Sequence, residues 1–69
     1  MNIMDQDEIL RAQLETLREE HRELDERIAE LALSPLSDQL VIRRLKKTKL
    51  RLKDEIARIE DILYPDIIA

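Results

Sequence analysis

Apolar residues in the first half of the chain recur at Leu10, Leu14, Leu17, Leu24, Ile28 and Leu31, with His21 filling the remaining place in the series. The steps alternate four, three, four, three, which is the narrow seam of a coiled coil and not the broad apolar face of a globular helix. Ahead of it, Asp5-Gln6-Asp7-Glu8 reads as a helix start. Asp5 can cap the free N–H groups, Glu8 can reach back in a capping box, and Met4 with Ile9 can close a hydrophobic staple. The run ends at Ser34-Pro35, because proline lacks the donor and restricts the residue before it. A second run follows Ser37, the expected cap, with Asp38 in the first turn where the helix dipole favours a negative charge. It places Ile42, Leu45, Lys49, Leu52, Ile56, Ile59 and Leu63 on one line, and Pro65 closes it.

The pattern predicts an all-α protein with one domain spanning 1–69: helix 1 at about 6–33, a turn at 34–37, helix 2 at about 38–64, and a short tail at 65–69. Two equal helices with so short a break favour a coiled-coil-like antiparallel helical hairpin. One unbroken helix is the alternative that Ser34-Pro35-Leu36-Ser37 opposes. The register closes without a slip. Leu31 meets Ile42, Ile28 meets Leu45, Leu24 meets Lys49, and His21 meets Leu52. Leu17 then meets Ile56, Leu14 meets Ile59, and Leu10 meets Leu63. The two polar seam residues fall in adjacent layers, each opposite a leucine.

Composition agrees. Charged residues make up 41 % of the 69, Gly, Cys, Trp and Phe are absent, and Tyr64 is the sole aromatic side chain apart from the His21 ring. Such a chain suits long helices and not a sheet. Without cysteine there is no disulfide framework or thiolate metal site, which fits a reducing compartment. No apolar run approaches the ~18 residues of a membrane span, and MNIMDQDEIL lacks a basic start and apolar core. A cytoplasmic protein without cofactor or membrane association is the expectation.

Charge divides the two arms. Residues 5–33 hold ten acidic and four basic residues, and residues 38–64 hold five acidic and eight basic ones. RRLKKTKLRLK at 43–53 is therefore expected to complement helix 1 more than to serve as a separate site. Along one flank Arg11 should meet Glu60 and Asp25 should meet Lys46, while Arg18 opposes Lys53; on the other flank Glu20 opposes Glu55. Helical spacing turns Arg43, Arg44, Lys47 and Arg51 outward, where they could touch phosphates. With Leu50 and Tyr64 they form the candidate interaction surface. No aromatic within the stretch can stack a base and the whole chain is acidic, with a net charge of −4, so nucleic acid ranks below protein as a partner.

Catalysis finds no footing. His21 is the single histidine and would sit between helices with no room for a substrate. No second histidine or cysteine completes a zinc site, and no glycine supports a calcium loop. The imidazole is expected to reach the hairpin edge and bond Asp25 or a backbone group. Lys49 is expected to lay its stem along Leu24 and reach Glu20 and Glu23 or water. One polar residue in each seam can fix register at some cost in stability.

His21-Arg22-Glu23-Leu24-Asp25-Glu26-Arg27-Ile28 resembles the H-x-x-L-D-x-x-I stretch of the YdcH-like family, short bacterial proteins classed as a domain of unknown function. Leu45-Lys46-Lys47-Thr48-Lys49-Leu50-Arg51-Leu52-Lys53-Asp54-Glu55-Ile56 is similar to its second stretch, L-K-K-x-K-L-x-L-K-D-x-I. The likeness runs from about Leu17 to Ile59 and includes both polar seam residues. It implies a helical hairpin from a bacterial cytoplasm and supplies no activity, substrate or cofactor. The expected protein is non-enzymatic and acts by interaction. Its first partner would be itself, as a homodimer or higher oligomer pairing hairpins into a four-helix bundle, since a lone two-helix seam is marginal. The alternative is a small nucleic-acid-associated protein using the basic outer face of helix 2.

Overall fold

The computed structural model describes residues 5–36 and 38–65 and consists of two α-helices, α1 (Gln6–Leu33) and α2 (Gln39–Leu63), packed on each other as a hairpin. At 1.5 Å per residue each is roughly 40 Å long. Asp5 caps α1 as its sequence requires, its carboxylate accepting from the Glu8 N–H at 2.8 Å. The return bond from the Glu8 side chain is not made, so the cap is single and not a capping box. Met4, the outer half of the expected staple, lies outside the described residues.

The reversal is made without any residue at positive φ among those described. Ser34 leaves the helix in an extended conformation, its N–H donating to the Leu31 carbonyl at 3.2 Å. Its hydroxyl oxygen accepts from Leu36 N–H at 3.3 Å. Proline at 35 cannot extend the helix, as expected from the sequence. The second cap is a correction. Asp38, not Ser37, is the N-cap of α2, accepting from Leu40 N–H at 2.9 Å, so the helix begins one residue later than expected. A carboxylate brings full charge to the helix N-terminus, which a hydroxyl cannot. Ser37 itself is outside the described residues, as is the tail from Asp66.

The seam forms as the heptads dictate. Leu14, Ile28 and Ile42 are buried, and the other eleven seam residues are half-buried. Apart from Glu60, every other described residue is exposed. The molecule is 14 Å through its thinnest direction, about one helix with its side chains. It is a single layer, and domains ordinarily bury a core between two. No described helix is long and apolar enough to cross a membrane.

Candidate functional site

The two flanks of the seam differ. On one, long charged side chains bridge the helices. Lys49 Nζ donates to Asp25 Oδ1 at 2.6 Å, and Arg18 donates to Glu60 Oε2 at 2.8 Å. Neither partner is the expected one. Asp25 was expected to meet Lys46, and Lys49 to reach Glu20 and Glu23 on the opposite flank. The seam position of Lys49 gives its stem a choice of sides, and it emerges where a carboxylate stands one helical step from its own layer. Glu60 was expected to meet Arg11. Instead Arg18, facing the like charge of Lys53, reaches Glu60, which lies about 10 Å further along α2. Both bridges are well solvated, so they bias the register more than they hold the fold. The hydrogen bond from Lys49, and then its charge, hold the Asp25 carboxyl below its ordinary value of 3.8, with a smaller contribution from His21.

His21 is not bonded to Asp25. Its Nε2 is buried with no hydrogen-bond partner, so the expected edge contact is absent. With Leu52 opposite and Leu17 and Leu24 on either side along α1, the imidazole has a place in the seam, but its Nε2 finds no hydrogen-bond partner there. An orphaned buried polar atom costs about 1–3 kcal/mol.

The opposite flank is open. Two grooves of about 480 Å³ each run along it. The groove nearer the free ends is lined by Ile9, Ala12, Thr16, Leu17, Glu55 and Ile59 among others. The one nearer the turn has Leu24, Thr48 and Leu52 in its walls together with five charged side chains, Glu20, Glu23, Glu26, Arg27 and Glu30. Leu17 shares a wall with Glu55 and Ile59, which bracket Ile56, in agreement with the Leu17–Ile56 layer. Thr16 and Thr48 turn their hydroxyls to their own helix, donating to the carbonyls of Ala12 and Arg44 at 3.1 and 3.2 Å. That local back-bonding keeps the hydroxyls from offering the grooves a polar lining. Glu20 and Glu55, expected to oppose each other here, line different grooves.

The expected interaction surface does not form one patch. Arg43, Leu50 and Tyr64, spaced by seven and fourteen residues, stand beside the bridged flank. Arg44 and Arg51 stand beside the open one, and Lys47 points straight away from the seam. All six are exposed. Of the seven cations in 43–53, Lys49 is the one that makes an ion pair among the described residues. The basic stretch thus complements α1 through one contact and not along its length. What sequence reasoning missed is the open flank. Part of its signal was present, because Gln13, Val41, Thr48 and Ile62 beside the seam are uncharged on that side, although Glu20, Arg27 and Glu55 in the same line are not. On the bridged side Arg11, Arg18, Asp25, Lys46, Lys53 and Glu60 are all charged.

No group of histidine, cysteine and carboxylate side chains that could hold a metal occurs among the described residues. The arrangement offers two kinds of surface, an uncovered flank where apolar seam residues are rimmed by charge, and a scattered set of exposed cations without ion pairs among the described residues. No curated protein and no solved structure matches the chain. The profile of DUF465, a family of proteins of unknown function, matches residues 14–60, about two thirds of the chain and the whole central part of the seam. The match takes in His21, Lys49 and both ion-paired carboxylates, and the chain belongs to this family, the YdcH-like domain of unknown function.

Proposed function

We propose that this is a non-enzymatic interaction protein whose first partner is a second copy of itself, the two hairpins stacking into a four-helix bundle. The carrying observation is the single helical layer. Among the described residues only Leu14, Ile28 and Ile42 are buried, while Val41, Leu50, Ile62 and Tyr64 are each at least 40 % exposed. A seam of that size does not offset the ordering of two long helices, and stacking a second layer is the economical way to enlarge the core. Sedimentation equilibrium across a hundredfold range of concentration tests the reading. A mass of two chains at micromolar concentration supports it, and a single-chain mass throughout overturns it.

A second reading has one observation in its favour. Arg43, Arg44, Lys47 and Arg51 are exposed and free of ion pairs among the described residues, so their charge is open to a polyanion. A phosphate binder would lose affinity steeply as salt rises, whereas apolar self-association would not. Titrating labelled duplex and single-stranded RNA at two salt concentrations separates the two.

A further inference from the structure

We infer that the second copy seats on the open flank, with its two-fold axis parallel to the helices, so that α1 of each copy packs on α2 of the other and both turns lie at one end. This rests on the self-association reading and adds the face and the orientation.

The face follows from what each flank would bury. Covering the bridged flank would bury six charged side chains beside the seam and the two ion pairs, against three, Glu20, Arg27 and Glu55, on the open one. Removing such groups from water carries a penalty that their attraction seldom recovers. The open flank already exposes Leu17, Leu24, Leu52 and Ile59 as groove walls, with Ile9, Val41 and Ile62 exposed near the two ends.

The orientation follows from charge. On this flank the outer edge of α1 carries Glu23 and Glu30, both in the groove wall. The outer edge of α2 carries Arg44, Arg51 and Arg58, which lie one helical turn from the groove residues Thr48 and Glu55 and are exposed. Identical faces can stack about an in-plane axis either along or across the helices. An axis across them sets the mainly acidic edge of α1 on itself and the arginine-bearing edge of α2 on itself, with Arg27 and Glu55 the exceptions. An axis along them sets α1 on the partner's α2 at unchanged height. Glu23 and Arg51 both lie between the His21–Leu52 and Leu24–Lys49 layers, so Glu23 meets the partner's Arg51. Glu30 and Arg44 both lie between the Ile28–Leu45 and Leu31–Ile42 layers, so Glu30 meets the partner's Arg44. Ile9 meets the partner's Ile62 at the free ends. Glu20, Glu55 and Arg27 are the unfavourable groups nearest the seam; the rim arginines Arg51 and Arg58 stand within a turn of the two glutamates, and Glu30 stands between Arg27 and the like charge of the partner's Arg44.

The chain has no cysteine, so single cysteines report the orientation directly. E23C and R51C are made separately and oxidised mildly, alone and mixed after co-refolding. The expected result is a covalent dimer in the mixture and little in either variant alone. Efficient self-crosslinking of E23C would set α1 against α1 and overturn the inference. So would the absence of a crosslink in the mixture while the wild-type chain sediments as a dimer. A charge-swapped pair supplies the second arm. E23R/E30R alone and R44E/R51E alone should each bind themselves about tenfold more weakly than wild type, and mixing them should restore a dimer. Unchanged self-association of both, or no rescue, overturns the orientation and leaves self-association standing. A wild-type chain that is monomeric throughout removes both.

Discussion

His21 and Lys49 occupy the same kind of position in the two helices and yet are satisfied differently. Lys49 keeps a third of its side chain in water and finds Asp25, whereas His21 buries Nε2 with nothing to bond. The sequence leads to the expectation that leucine would stabilise both sites and help more at Lys49. The structure reverses that order. H21L should raise the melting temperature by roughly 4–8 °C, the equivalent of about 1 kcal/mol, by removing an orphaned polar atom. K49L should raise it less, because gained contact with Leu24 is offset by a lost ion pair. Thermal melts by circular dichroism decide, and a loss of stability at His21 would mean that its imidazole has a partner. Asp25 carries a pH signature. Its carboxyl is held below 3.8 in the folded chain, so the stabilisation it gives is complete above that value and is lost as pH falls through the lower, folded value. D25N should therefore flatten the acid side of the stability curve below about pH 4 relative to wild type; an unchanged acid limb would mean that the Lys49 bond does not persist in solution. The location of both polar seam residues was legible from heptad spacing. Their partners were not, because a long side chain on the seam can leave by either flank and only packing decides which.

At the scale of the helices, nearly everything was legible, and for a physical reason. A seam with a three-four repeat fixes which residues face inward, and all fourteen positions are buried or half-buried. Boundaries were less secure where two capping residues adjoin, as Ser37 and Asp38 do. D5A and D38A should each cost about 0.5–2 kcal/mol in thermal or urea unfolding, since each carboxylate satisfies a free helix N–H. An unaffected D38A would return the cap to Ser37. The antiparallel register has a direct check. Cysteines at Leu17 and Ile56 should crosslink within one chain under mild oxidation, and crosslinking solely between chains would contradict the hairpin. The cross-helix ion pairs could not be read from facing positions, because arginine and glutamate span more than one layer and Arg18 passes Lys53 to reach Glu60.

For the whole molecule, the division between flanks matters more than the basic stretch that stands out in the sequence. Neutralising Arg43, Arg44, Lys47 and Arg51 to glutamine should leave the helices formed. It should weaken the dimer through Arg44 and Arg51 alone, the two that border the open flank. Specific RNA or duplex binding at near-physiological salt, lost in that variant, would shift the account to the nucleic-acid reading. The central claim is that one layer of two helices is completed by a second copy. Folding and association are then linked, and the melting temperature must depend on protein concentration. Melts from low micromolar to near-millimolar chain should move steadily upward. A melting temperature that stays constant over that range would show a hairpin that folds alone, and would contradict the account.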